Sequence, residues 1–500
     1  MNNKILIALI AILIIVCAGA YVLTNSSTSS SVSIDASALE DRGNLVVDSE
    51  SLNQKNGLYH TDSSDINTIL IKNGGSLKLE NSIINKTGDT QTSQDDADFY
   101  GVNSAVLVNT NGTLDISNVE INTDSKGSNG IFVTNAEASS TGSEASPASD
   151  GGQPPEMPAG EGTGQQKDGG KPPEMPSGTG GEGTNGGGQP GQSSINGTTE
   201  ATVKNVKITT HSDKSRGLDA TYNAKINAEN VVINTDGQSC AALATDRGEG
   251  EVHVKDSEIN TGVSKDSGRG SPLIYSTGNI TLENTKGTSY VSQIACIEGK
   301  NSIELTKCDL TGYAGGNRQD GSTYVDLGGV FIYQSMSGDA DVGTSLFTAK
   351  NSKLSIASDS PVYKEAPMFH VTNTACVINL DNTELSYGSG TFMEIAGQNQ
   401  WGTTGSNGGV AELNTDNEKI EGNVIVDSIS SLTWNMNSTE FNGLINSTGN
   451  TTITVGDGST WTLTGDSSVS SLTVSGNIDY GNYSLTVNGQ TYDSSNPFNG

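Results

Sequence analysis

One pattern recurs along the chain and restricts its fold more than any other feature. It reads apolar-x-apolar-x-Asn, with a further apolar residue about three positions on. Copies are Leu77-x-Leu79-x-Asn81, Leu114-x-Ile116-x-Asn118, Ala201-x-Val203-x-Asn205, Ile226-x-Ala228-x-Asn230 and Ile280-x-Leu282-x-Asn284. Val252-x-Val254-x-Asp256 keeps an acid in the Asn position. Weaker copies end at Lys307, Asn351 and Asn382. Alternation with period two predicts a strand with one buried face. Asn closes it because its short polar side chain tolerates left-handed backbone geometry.

From Asn205 to Lys307 the closing residues are spaced 25, 26, 28 and 23 apart, and larger gaps elsewhere read as one turn plus an insertion. A second apolar set lies between these strands, including Ala105 to Val108, Leu218 to Ala220, Ile294 to Ile297 and Val330 to Tyr333. Short strands, polar turns and almost no helical periodicity predict an all-β fold, a right-handed parallel β-helix in which stacked coils bury a continuous core. The recurring Asn side chains are expected to form a ladder at one corner, bonding the turn backbone above or below. An array of immunoglobulin-like sandwiches would repeat at roughly 90–100 residues, and no such unit is found. About 15 coils at the usual interstrand spacing make a rod roughly 70 Å long.

The ends and one insert depart from the pattern. Ile5 to Leu23 carries no charge over nineteen residues, close to the roughly 20 that span a bilayer. Residues 1–23 therefore read as an N-terminal transmembrane signal-anchor, or as a signal peptide cleaved near Ala18-Gly19-Ala20. Both send the rest of the chain outside the cytoplasm. Residues 24–33 form a Ser/Thr-rich stalk, 34–136 a first β-helix part, and 199–422 its main part. Residues 137–198 hold eight of the twelve prolines and are rich in Gly. This stretch reads as a disordered loop containing two Pro-Pro-Glu-Met-Pro units. Residues 423–500 alternate in shorter runs and read as a terminal section or cap. No C-terminal anchor is evident, so attachment is expected at the N-terminus.

Composition then narrows function. Asp plus Glu is 57 against 26 Lys plus Arg, a formal net charge of −31. Such a surface repels phosphate, so nucleic acid is not an expected partner. No nucleophile elbow, phosphate loop or His/Cys metal spacing appears, so no catalytic residues are assigned. The best ligand-binding candidates are charged residues just before the second strand of successive coils: Arg216 and Asp219, Asp246 and Arg247, Arg269, and Glu298. Two readings stand open for them, an ion-paired ladder that manages stacked charge and a groove for an acidic sugar or calcium. Asp339 and Asp341, and the run Asp95, Asp96 and Asp98, offer the hard oxygen ligands that calcium prefers. Trp401 is the exposed aromatic best suited to stack on a sugar, whereas Trp434 and Trp461 read as core. Cys240, Cys296, Cys308 and Cys376 read as buried thiols.

On the anchor at 5–23, the coils at 77–382 and Thr/Asn/Gly-rich stretches such as Gly112-Thr113-Leu114-Asp115-Ile116, the chain resembles adhesin-like surface proteins of methanogenic archaea. Related β-helix surface proteins of gut anaerobes share the style. The tail from Trp461 to Gly489 is similar to the ends of autotransporter passenger domains. The resemblance implies attachment to glycans or neighbouring cells and names no catalytic residues. Parallel β-helix polysaccharide lyases, which hold a uronate through calcium and abstract a proton with Arg, supply the runner-up, and a structural envelope spacer the third reading.

Overall fold

The computed structural model describes residues 32, 34–137, 197–264, 271–315, 326–335 and 337–499. The expected membrane anchor, nearly all of the expected stalk, almost the whole Gly/Pro-rich insert and Arg269 lie outside the described residues. Among the described residues no helix is long and apolar enough to cross a membrane.

The protein is nearly all-β and built on long parallel sheets, an arrangement consistent with a β-helix. The largest sheet has 22 strands and a second has 13. Each repeat gives the large sheet a strand that turns at the Asn position, then gives a short strand to the second sheet. In Thr113–Asp124 one strand runs through the turn, with Leu114 and Ile116 buried before it and Val119 and Ile121 after it. The step of three from Ile116 to Val119 has a local cause: Asn118 sits at φ 52. A residue in the left-handed region changes which face the following side chains meet, so the apolar positions move by one to stay inside.

Register is kept from repeat to repeat. One inward file runs Leu77, Leu114, Ala201, Ile226, Val252, Ile280, Ile303, Phe347 and Ile378, each paired with the next. The chain leaves the second sheet after Thr134 and returns to the large sheet at Glu200, which pairs with Thr113. The intervening stretch therefore costs the stack no register. The same file passes residue 423 without a break, through Leu413, Trp434, Ile453 and Leu472. At the far end Leu485–Val487 and Gln490–Tyr492 form an antiparallel pair. That hairpin covers part of the last parallel edge, which would otherwise present unpaired backbone groups to another chain.

The corner residues Asn81, Asn118, Asn205, Asn230, Asn284, Asn351 and Asn382 all have φ between 46° and 54°. Their amides bond one another, where the sequence suggested bonds to turn backbone. Asn118 Nδ2 donates to Asn81 Oδ1 at 2.9 Å, Asn230 to Asn205 at 2.6 Å, and Asn382 to Asn351 at 2.8 Å. Asn284 donates to Asp256 at 2.5 Å. An amide is both donor and acceptor, so identical stacked side chains form a chain of bonds. Lys307 holds the same geometry at φ 55 and cannot accept a bond.

The core changes character along the rod. Aliphatic files fill the first half, and an aromatic column fills the second. Phe347, Phe369, Phe392, Trp434, Phe441 and Trp461 follow one another at centroid separations of 4.7–5.9 Å. Both tryptophans are fully buried. Cys240, Cys296, Cys308 and Cys376 are buried free thiols, and burial raises each thiol pKa, that of Cys308 to about 11. On the outside, charges alternate in sign between repeats: Lys225 meets Glu251 at 3.3 Å, Lys286 meets Glu258 at 3.2 Å and Lys353 meets Glu384 at 2.9 Å. Exposed pairs of this kind add little stability. Their use is to prevent like charges from stacking in register.

Lys307→Asn should raise stability by about 0.5–1 kcal/mol, because Asn suits the left-handed corner and extends the amide chain. Trp434→Ala should cost about 3–5 kcal/mol by opening the aromatic column. Denaturant titration measures both; a destabilised Lys307→Asn variant would contradict the corner argument.

Candidate functional site

Residues of the second sheet alternate between core and outside, so every second side chain should face solvent. At the first repeat it does: Val46 is 46% exposed. In the middle repeats the outward file holds Phe132, Asp219, Ala244, Tyr275, Cys296, Phe331 and His370. All but Tyr275 are buried. Something therefore covers this face, and the covering elements build a site.

The first cover is a helix, Gln94–Tyr100. Ser93 caps it by accepting the Asp96 N–H, and Gly101 ends it at φ 69, where an added Cβ would strike the Phe132 ring. The helix occupies the extra residues between Asn81 and Asn118, a spacing of 37 where 25 is usual in this chain. The acids Asp95, Asp96 and Asp98, which the sequence offers either as a solvated charge run or as calcium ligands, are divided by it. Asp98 points inward and is buried, paired with Arg216.

Arg216 is the charge at the centre. Its Nη1 lies 2.5 Å from Asp98 Oδ1, and its Nε lies 2.5 Å from Asp246 Oδ2 and 3.6 Å from Asp219 Oδ2. Lys214 approaches Asp98 at 3.9 Å. Three buried carboxylates share one guanidinium. Burial and the neighbouring Asp246 push the Asp219 carboxyl well above the usual range. Neither Asp219 oxygen nor Asp246 Oδ2 takes an aligned hydrogen bond. Burial raises Asp246 as well, against the pull of Arg216.

Beside this centre, Arg247 bonds Asp339 and lies over the Phe99 ring at 3.6 Å. Tyr100 stacks on Tyr222 at 5.8 Å. On the other side Phe331 stacks on Tyr333 at 4.7 Å, and Tyr333 meets Trp401 at 4.8 Å. The Trp401 indole donates to Asp326 Oδ1 at 2.8 Å, and burial raises the Asp326 carboxyl to about 6. The Tyr275 hydroxyl donates to Glu298 at 2.8 Å, whose carboxyl is likewise raised by burial. His370 sits between the Leu327 carbonyl and Gln398, each 2.9 Å away, and burial lowers its pKa. Between these walls lies a partly open cleft of about 270 Å³, lined by residues including Asp98, Phe99, Arg216, Asp246, Tyr275, Asp326, Phe331, Tyr333, Asp339 and Trp401.

Of the residues expected from sequence, Arg216, Asp219 and Asp246 meet in one cluster, and Arg247 lies beside them. Glu298 bonds Tyr275 on the cleft wall, and Arg269 lies outside the described residues. Trp401 is half-buried in the wall, not free at a loop tip as expected. Asp339 and Asp341 do not converge on a cation site: Asp339 pairs with Arg247, and Asp341 with Lys300 at 3.1 Å. Among the described residues no group of three or more acids, histidines or cysteines is arranged to hold a metal ion. Cys296, expected in the core, packs instead on the outer cluster with Phe331 and Tyr333. Sequence reasoning missed Asp326, Tyr275, Phe331 and Tyr333, and it placed Asp98 in an acidic run with Asp95 and Asp96, not beside Arg216. The signal for Phe331 and Tyr333 was Val330-Phe331-Ile332-Tyr333, a strand apolar on both faces and therefore covered on both.

No protein-family model and no curated protein matches this chain.

Arg216→Met should destabilise the fold by about 3–5 kcal/mol at pH 7, because it leaves buried carboxylates unpaired. Of these, Asp219 and Asp246 hold protons more tightly folded than unfolded, so the loss should shrink as pH falls toward 5. Asp219→Asn, which imitates the protonated acid, should change stability by under about 1 kcal/mol at pH 7. Urea titrations at the two pH values check both.

Proposed function

We propose that this chain is an adhesin-like surface protein, a right-handed parallel β-helix held at the cell surface by its N-terminal segment, and that it binds glycan in the cleft over the second sheet. The observation that carries the reading is the cleft's composition. Aromatic faces at Phe99, Tyr333 and Trp401 stand beside hydrogen-bonding side chains that are themselves held by partners. Sugars are recognised by this combination, since their C–H faces stack on rings while their hydroxyls take fixed polar groups. The cleft's volume of about 270 Å³ falls just below the range of drug-sized pockets, which suits a short stretch or branch of a glycan.

Rigidity supports the same reading. Tyr275, Phe331 and Tyr333 stand on paired strands and Phe99 on a capped helix, so that part of the wall orders little chain on binding and loses little entropy, whereas Asp326, Asp339 and Trp401 lie on connecting segments. Cleavage of an acidic polysaccharide is less well served. A lyase needs a free basic side chain and a cation against the uronate, whereas Arg216 and Arg247 are both occupied by carboxylates.

On a glycan array the full chain should retain a restricted set of sugars, without release of unsaturated product. Trp401→Ala should weaken that retention at least tenfold, about 1.4 kcal/mol. Retention unchanged by calcium removal is expected, because Asp98, Asp246 and Asp339 already face Arg216 or Arg247 and among the described residues no group of acids is arranged to hold a metal ion. Absorbance from a new C=C bond, lost in Arg247→Ala, would establish the lyase instead, and an array without any retained sugar would leave a structural spacer.

A further inference from the structure

From the charge of the cleft we infer that its ligand is a cationic sugar, a glycan unit carrying a free protonated amine, seated against Asp326 and the Tyr333–Trp401 rings. The inference rests on the glycan reading above and goes further by naming the chemical class.

The cleft carries four carboxylates, from Asp98, Asp246, Asp326 and Asp339, against the cations Lys214 and Arg216. The cations are already engaged. Arg216 is held by Asp98 and Asp246, and Lys214 reaches Asp98. An acidic sugar entering here would meet no unengaged guanidinium and would be repelled by the remaining carboxylates. The charge of the whole chain, −31, acts in the same direction.

Asp326 is the residue that asks for a cation. It is 5% exposed and lines the cleft, yet among the described residues no Lys or Arg pairs with it. Its one recorded side-chain partner is the Trp401 indole, a neutral donor. A buried carboxylate without a counter-charge is unfavourable, and here the group is driven toward its protonated form, to about 6. An ammonium placed beside it supplies the missing charge. Asp246, 5% exposed, lines the same cleft and adds to its negative charge, though Arg216 already faces its Oδ2. The rings complete the site, because the faces of Trp and Tyr attract a cation within about 6 Å of the centroid.

The test compares three probes on the full wild-type chain by calorimetry at pH 7: glucosamine oligosaccharides with free amines, their N-acetylated counterparts, and oligogalacturonate. The amine form should bind at least tenfold more tightly than the acetylated form, with oligogalacturonate not binding. Affinity for the amine form should fall as sodium chloride rises. Asp326→Asn should remove most of the preference for the amine while leaving the melting temperature at or above that of wild type. Equal binding of the acetylated sugar would overturn the cationic inference and leave glycan binding intact. Tighter binding of oligogalacturonate would overturn it as well. Failure of every sugar, or preference for a lysine-bearing peptide, would sink both readings. The wild-type comparison needs no variant, so it stands even if Asp326→Asn fails to fold.

Discussion

The structure depends on the in-register stacking of one strand on the next. Backbone bonds in the parallel ladders fix each residue over its counterpart one repeat away, and every other property follows. Leu77 lies beside Leu114 and Asn81 beside Asn118, so whatever a residue does once it must do again beside itself. Apolar side chains gain from this, since like packs on like into a continuous core. Asn gains because an amide bonds its own kind. Charges lose, and the exposed surface answers with alternating signs between neighbouring repeats.

Stacking also explains why a site arises on the second sheet. Each short strand has an outward file that a plain stack leaves wet. Insertions between repeats fold back over that file and turn part of the outside into a second interior. The helix Gln94–Tyr100 brings Asp98 to Arg216 across 118 residues of sequence. Buried there, Asp219, Asp246, Asp326 and Glu298 hold their protons more tightly than they would on an ordinary surface. The site is thus made of charges that stacking excludes from the core and that inserted segments exclude from water.

The Asn-closed strands, the second apolar set and the core tryptophans were legible in the sequence because local rules govern them. Period two marks a half-buried strand, and a left-handed corner selects Asn wherever it occurs. Arg216, Asp219, Asp246 and Glu298 were also legible as a group, since residues one repeat apart become neighbours. Less legible was what they do. Asp339 and Asp341 look like calcium ligands in a row, yet alternate directions along the loop carry them to different cations. Trp401 looks like a free loop aromatic, yet its indole is bound to Asp326, 75 residues earlier.

By itself, then, the sequence determined the repeat: its strand length, its corner residue, its buried faces and the acidic exterior. These are properties a residue has with its near neighbours and with its copies in adjacent repeats. Only the tertiary structure decided which outward faces are covered, which carboxylates share Arg216, and which one, among the described residues, pairs with no Lys or Arg. Those outcomes depend on where the inserted helix and loops land on the stack, and no period in the sequence encodes that landing.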